Sequence, residues 1–497
     1  MKTGFDNEKY LQIQSEHILE RIEKFGGKLY LEFGGKLFDD YHASRVLPGF
    51  KPDSKIRMLM HLRDSVEAIV AVNSGDIEKN KVRGDLGITY DMEVLRLIDS
   101  FRERGMLVNS VVLTQYASQP AAIAFEKRLK ALNVKVYKHY PIAGYPLDVE
   151  HIVSEDGYGK NDYIKTSKPL VVVTAPGPGS GKMATCLSQL YHENKRGISA
   201  GYAKFETFPI WSIPLKHPVN VAYEAATIDL GDVNMIDPFH LEAYEKIAVN
   251  YNRDIEVFPV LNSMLEKILG TSPYRSPTDM GVNMAGACIT DDKIVSKASR
   301  FEVIRRYYEL LKSNKKGLAS DDTVLKFELL MKNADVTINE RIVVPAVKKK
   351  AAEFNIPISG IELEDGRVIT GKTSALLGAS SAVLLNVLKV FADIDDSVLL
   401  MSPDILEPIQ KLKLENLGFE HPELHVDEML IALSICAQTD PLAKKAFEQL
   451  PKLEGCEMHS SVILSPVDES MLKRLGINVT CEPRYQTNSL YQSQHKT

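Results

Sequence analysis

The chain has 497 residues, 44% hydrophobic and 25% charged, with 60 basic against 66 acidic side chains and a net charge of -6. This is a globular composition, long enough for roughly three domains and for a large core without covalent staples. It has no polybasic block and its five cysteines are scattered without CxxC pairs, which argues against nucleic acid or an anionic membrane as primary partner and against a disulfide framework.

The opening stretch, MKTGFDNEKYLQIQSEHILERIEKF, alternates charge with apolar residues at helical spacing and contains no uninterrupted apolar segment. Neither a signal peptide nor a membrane span is expected there, and the expected location is cytoplasmic. Apolar, β-rich runs follow at KLYLEF (28–33), VEAIVAV (66–72), VNSVVLTQY (108–116), VKVYKHY (134–140), LVVVTA (170–175) and VNVAYEAATIDL (219–230). Between most of them lie segments of helical period, such as DMEVLRLIDSFRERG and SQPAAIAFEKRLKALN, the latter with Pro120 near its first turn. Alternating strands and helices predict an α/β fold with a doubly wound, mostly parallel sheet over residues 1–235. Ligands of such sheets sit beyond the carboxyl ends of the strands.

From Asp237 the texture changes. DPFHLEAYEKIAVNYNRDIE, FEVIRRYYELLKSN and DDTVLKFELLMKNA predict a mostly helical domain over residues 236–354. IPISGIELEDGRVIT then suggests a hairpin around Glu364, Asp365 and Gly366, followed by a long helix rich in small residues. VLLMSP, an amphipathic stretch, SVILSP, the helix ESMLKRLG and INVTCEP complete a smaller C-terminal α/β domain over residues 355–497, whose polar tail YQTNSLYQSQHKT is expected to be loose.

Two segments invite comparison with the phosphate-binding pattern G-x-x-x-x-G-K-[ST]. In TAPGPGSGKMATC (174–186), Pro176 replaces the first glycine and Met183 the hydroxyl residue. The context is nevertheless that of an anion cradle, because an apolar strand runs into small residues and then into a helix. Gly177, Gly179 and Gly181 are expected to take positive φ, with Lys182 projecting to the phosphates and Ser180 or Thr185 as substitute hydroxyls. Met183 puts Mg²⁺ handling in doubt, since the missing hydroxyl normally holds the metal. The second segment, GRVITGKT (366–373), matches every letter, yet its variable positions are β-branched and prefer a strand. Gly371, Lys372 and Thr373 precede a helix and form a secondary candidate anion site. A dinucleotide fingerprint is excluded, since the third glycine of G-x-G-x-x-G falls at Lys182.

Other candidates lie around the first loop. The stretch ISAGYAKFETFPIW places Lys204 and Glu206 beside the sheet, and the strand-helix-strand order that ends in it resembles the dethiobiotin synthetase branch of P-loop proteins, over roughly forty residues only. IDLGD is expected to end a strand, which would set Asp229 and Asp232 where a metal or water is held. Asp39, Asp40, His42 and Arg45 follow the first strand on the expected ligand edge, against the plainer reading of a solvated helix start. HPELH, with His421 and His425, lacks the order of a zinc helix, and Cys456, His459 and Cys481 supply at most three ligands.

The runs LEFGGKLFDDYHASRVLPGF, TAPGPGSGKMATC, PLKHPVNVAYEAATIDLGDVNMIDPFHLEAY, SPTDMGVNMAG and TGKTSALLGASSA together resemble the bacterial family called domain of unknown function 1846, over essentially the full length. The resemblance implies a three-part architecture and no catalytic residues; some members carry an ATP-dependent peptidase label. Residues 378–382 satisfy G-x-S-x-G around Ser380, but inside an expected helix rather than on a strand-to-helix turn, which speaks against a serine hydrolase. The expected activity is therefore binding of ATP or another phosphorylated small molecule at Gly177–Lys182, with Lys204 and Asp229 as catalytic candidates for ATP-dependent transfer or ligation. A non-catalytic phosphometabolite sensor or scaffold is the alternative. No nucleic-acid or membrane partner is expected, and a homo-oligomer is left open.

Overall fold

The computed structural model describes residues 3–83 and 86–486, so the tail from residue 487 onward lies outside the described residues. The chain divides into two compact units, Lys2–Ser299 and Arg300–Thr497. The division falls inside the stretch expected as a helical domain.

Seven strands build the sheet of the first unit: β1 Leu29–Phe33, β2 Val66–Asn73, β3 Leu107–Thr114, β4 Lys135–Lys138, β5 Leu170–Thr174, β6 Gly201–Phe205 and β7 Gly281–Val282. Their order is β7-β6-β1-β5-β2-β3-β4. Every adjacent pair is parallel. Strands β1 and β5 are buried at every residue, and β2 at all but its last. A parallel sheet covered on both faces requires such unbroken apolar runs. β5 enters between β1 and β2, and the chain then leaves β5 toward β6 but leaves β2 toward β3. Connections that diverge from adjacent strands open a crevice at their carboxyl ends.

The run VNVAYEAATIDL, expected as a strand, is instead the helix Pro218–Ala226 followed by a short 3-10 turn, Ile228–Leu230. Pro218 occupies the first helical turn and His217 accepts a hydrogen bond from Val219 N, so the start signal outweighs the β-branched valines. The stretch expected to be mostly helical also contains an antiparallel pair, Asn234–Ile236 with Val249–Tyr251, and the edge strand β7. Among the described residues no helix is long and apolar enough to cross a membrane.

The second unit carries a mixed sheet of β8 Ile358–Glu362, β9 Val368–Lys372, β10 Glu457–Ser460 and β11 Asn478–Cys481, in the order β9-β8-β10-β11. The expected hairpin joins β8 to β9, with Gly366 at φ +83 in its turn. INVTCEP supplies β11, whereas neither VLLMSP nor SVILSP is a strand. The remaining strand is EMHS, whose buried His459 bonds Thr480 and Glu482 and so hides any apolar alternation. Helix Ala379–Phe391 lies on this sheet so closely that a Cβ on Gly371 would stand 2.1 Å from the Val383 amide nitrogen.

Arg341 is fully buried in this unit, and its guanidinium binds Glu457 at 2.8 and 3.0 Å and Thr480 Oγ1 at 2.6 Å. The same carboxylate takes Arg305 at 2.8 Å. Arg305 also holds Glu302 at 2.9 Å, whereas the carboxylate that bonds Arg341 is Glu457, so removing it strands a fully buried guanidinium. We expect Glu457→Gln to cost about 3 kcal/mol, the lower end for breaking a buried pair, measured by denaturant unfolding; an unchanged midpoint would show that the pair carries no such weight.

Candidate functional site

At the carboxyl edge of the parallel sheet a cleft of about 410 Å³ is lined by Glu32 of β1, Asn73 of β2, Thr114 and Gln115 at the end of β3, residues that follow β4, and Gly179–Ala184 after β5. The volume is within the range of small-molecule sites, and the position is the topological switch point described above.

The loop after β5 is shaped by three glycines used in two ways. Gly179 and Gly181 take φ of +75 and +84. Gly177, expected to share that conformation, does not; it is small because a Cβ there would stand 2.2 Å from Tyr90 Oη. Gly181 is the cap of helix Lys182–Lys195, with no side chain closing the first turn. The carbonyls of the loop are tied down from behind. Thr114 Oγ1 donates to Ser180 O at 2.8 Å, Ser180 Oγ to Gly177 O at 2.9 Å, and Asn73 Nδ2 to Gly179 O at 3.4 Å.

Its amides are left free. Among the described residues none of the six N–H groups from Gly179 to Ala184 donates to a protein acceptor, and all six residues border the cleft. A helix N-terminus carries about half a positive charge, so unpaired amides there attract an anion. Lys182 is half-buried, its ammonium has no hydrogen-bond or ion-pair partner among the described residues, and burial holds its pKa below the usual lysine range despite the opposing charge of Glu32. Thr185, by contrast, is buried and donates back to Gly181 O at 2.9 Å, so its hydroxyl is not directed to the cleft.

Glu32 is 9% exposed and accepts from Tyr202 Oη at 2.7 Å through one oxygen; the other has no protein partner among the described residues. The far wall is formed by His139, Tyr140, Ile142, Tyr145, Tyr158 and Asn161. Burial, with the Glu32 charge added, pushes the Tyr145 phenol up to about 12. These wall residues carry no motif. The signal available for Glu32 is one acid inside the otherwise apolar LYLEF, and for His139 and Tyr140 the polar end of VKVYKHY.

The expected catalytic pair is not assembled. Lys204 stands beside Glu32 in the sheet register, but its ammonium is consumed by Glu206 at 2.7 Å, Asp254 at 2.5 Å and Tyr251 Oη, and it does not line the cleft. Burial works against that cation, yet the two carboxylates raise its pKa well above the normal value. Glu206 is pushed up to about 7 by burial, against Lys204 and with Asp254. Asp229 is exposed on the short turn after helix Pro218–Ala226, because the segment is not a strand, and it does not border the cleft. Asp232 pairs with Arg253.

The secondary anion site is also absent as expected from sequence. Gly371 and Lys372 belong to β9, Thr373 N donates to Pro357 O, and the next helix starts only at Ala379. Lys372 lies over the Phe354 ring. Ser380 is buried in the first turn of that helix, several residues beyond the strand, so no nucleophile elbow forms. Asp39 binds Arg96, and Asp40 binds Lys55 at 2.7 Å while capping Ala43 N. Neither they nor His42 and Arg45 border the cleft. His425 starts helix Val426–Cys436 against Asp468, both ring nitrogens of His459 are engaged, and Cys456 and Cys481 are buried thiols. No cluster of three metal-ligating side chains occurs among the described residues.

These features define a parallel α/β protein with a glycine-turned, uncapped helix N-terminus open at its switch point. The chain matches the family described as "Domain of unknown function DUF1846, N-terminal" over residues 3–335 and its C-terminal counterpart over 339–491. It belongs to that family. Proteins named "UPF0371 protein" from Streptococcus pneumoniae strains JJA, CGSP14 and P1031 are each 56% identical over 490 residues, covering 99% of both chains.

The loop conformation yields a direct test. Alanine at Gly181 must hold a left-handed φ and place its Cβ 3.1 Å from Thr114. We expect Gly181→Ala to cost about 1–2 kcal/mol, whereas Gly197→Asn, at an open left-handed turn with nothing nearby, costs less. Equal losses by thermal unfolding would contradict the strained-loop account.

Proposed function

We propose that this is a cytoplasmic protein that binds a nucleotide or another phosphorylated small molecule, with the phosphate against Gly179–Ala184 and Lys182. The observation that carries this reading is the run of six amides without protein acceptors at a helix N-terminus, facing the cleft beside an unpaired lysine. Free backbone donors and a half-buried, unpartnered cation are costly unless something negative completes them. Five free, buried cysteines suit a reducing compartment. With Met183 after the lysine and Thr185 bonded to its own helix, the loop offers no hydroxyl in the usual place for Mg²⁺, which favours binding without protein-held metal.

Lys182→Ala tests this. A hydrogen bond to a charged group is worth about 1.5–3 kcal/mol, so affinity for pyrophosphate or ATP should fall roughly 10- to 100-fold, while the ligand-free melting temperature stays level or rises. Calorimetric titration giving equal affinities for both proteins would remove the loop from consideration.

The lysine also fixes a pH dependence. Its folded pKa lies below the unfolded value. Between the two the unfolded chain binds the extra proton, so ligand-free stability gains as pH rises through the window that ends at the ordinary lysine pKa. A bound phosphate raises the same pKa and reverses the trend. Affinity is therefore expected to decline as pH climbs through the lowered lysine pKa, and to do so far less in Lys182→Met; parallel pH profiles for the two would count against the assignment. The neighbouring charges of Glu32, Lys204 and Glu206 remain in both proteins, so the lysine's own titration is what separates the two profiles.

A second reading, ATP-dependent transfer or ligation, is favoured by the open oxygen of Glu32 beside Lys182, since a positioned carboxylate can take a proton from an attacking group. It requires that labelled ATP, Mg²⁺ and a metabolite pool give product with the native protein and not with Glu32→Gln, although Glu32→Gln still binds ATP. No product from the native protein leaves the binding role alone.

A further inference from the structure

We propose that the ligand is a phosphate ester whose organic end is a ring bearing a hydroxyl or amino hydrogen, and that His139 accepts that hydrogen through Nδ1. This rests on the loop reading above and extends it to the opposite wall of the same cleft.

His139 is only 4% exposed. Its Nε2 lies 3.2 Å from the Asp162 carbonyl, which can only accept, so Nε2 carries the hydrogen. Burial pushes the imidazole pKa down to about 4, with the nearby His192 adding to the effect, so the ring is neutral at physiological pH. Nδ1 is then a bare lone pair. It has no protein partner among the described residues, and His139 borders the cleft. A buried acceptor of this kind is completed by a donor from the ligand or by water.

The backbone holds the imidazole in place. His139 N donates to Leu113 O, Tyr116 N to His139 O, and the following amide, Tyr140 N, to Asn161 Oδ1 at 2.9 Å. Beside it lie flat, weakly polar surfaces. Tyr140 is 38% exposed and meets Tyr116 edge-on at 6.2 Å, while Ile142 and Tyr145 continue the wall. An aromatic platform next to a single fixed acceptor recognises a ring by stacking and orients it by one hydrogen bond. The cleft thus carries free amides, Lys182 and Glu32 at one wall, and is neutral, aromatic and accepting at the other. Inorganic phosphate or pyrophosphate fills only the first; a nucleoside phosphate or a sugar phosphate fills both.

The test is calorimetric titration of the full chain with pyrophosphate, AMP and glucose 6-phosphate, using the native protein, Lys182→Ala, His139→Gln and His139→Asn. Glutamine keeps an N–H for the Asp162 carbonyl and loses the lone pair, whereas asparagine keeps an acceptor near Nδ1. We expect His139→Gln to lose roughly tenfold for whichever organic phosphate the native protein holds, with pyrophosphate unchanged, and His139→Asn to retain most of the affinity; Lys182→Ala loses all probes. Native-like binding of the organic probe by His139→Gln overturns the inference, as does an equal loss for pyrophosphate, which would mark His139 as structural. If the native protein binds pyrophosphate but neither organic phosphate, the inference fails and the loop reading stands. Binding of none of the three removes both.

Discussion

The constraint on which the N-terminal unit turns is the cost of leaving peptide N–H groups without acceptors. A helix must begin somewhere, and its first amides are satisfied by a cap, by solvent or by a ligand. Several helices of this chain begin under a side-chain cap: Asp6, Asp237 and Ser465 each accept from the third residue on. At Lys182 the capping position is glycine, and the side chains that reach the loop bind its carbonyls instead, from Thr114, Ser180 and Asn73. Anchoring the acceptors from behind turns the donors outward. The sheet order does the rest, because the connections after β5 and β2 leave in opposite directions and open a crevice at the carboxyl ends of these strands.

The two lysines near this edge show how similar residues acquire different roles. Lys204 lies on a strand interior, where two carboxylates and a tyrosine surround it and a free cation would be untenable. Its surplus of acid is accommodated by Glu206, whose raised pKa near 7 lets it share the burden with a proton. Lys182 sits one strand away on the first turn of a helix, with Glu32 as the nearest compensating charge and no direct partner. A saturated network makes a wall; an unsaturated one makes a site. Residue type does not distinguish them; what does is that Lys204 is inside a strand and Lys182 opens a helix.

Much of this was legible in the sequence where burial on two faces forces a pattern. Strands β1 to β5 announce themselves as apolar runs, and the loop at 174–186 is marked by context even though its letters depart from the pattern at Pro176 and Met183. The fully matching segment at 366–373 is a hairpin turn and a strand, because Val368, Ile369 and Thr370 pair with β8. What stayed hidden depends on contacts distant in sequence. Gly177 is required by the ring of Tyr90, a relation no local rule contains. Helix Pro218–Ala226 hid behind its valines, and β7 is two residues long. The cleft wall was hidden most completely, since Glu32, Thr114 and His139 come from different strand ends and meet only when the sheet is ordered.

That ordering explains why the polarity of the cleft is graded rather than uniform. The half next to β1 and β5 is built from backbone donors, one cation and one acid, all close to a helix dipole. The half beyond β3 and β4 is built where the sheet reaches its edge, and there the chain lays a long connection, rich in tyrosine and proline, across residues 139–161. A buried neutral imidazole is stable in that second half because burial disfavours its charged form and the Asp162 carbonyl fixes its hydrogen. The same imidazole placed beside Glu32 would be drawn toward the charged form and lose its acceptor. The separation of charge from neutral hydrogen bonding across one cleft thus follows from where each strand ends, and it lets the protein present two different kinds of recognition to opposite ends of one small molecule.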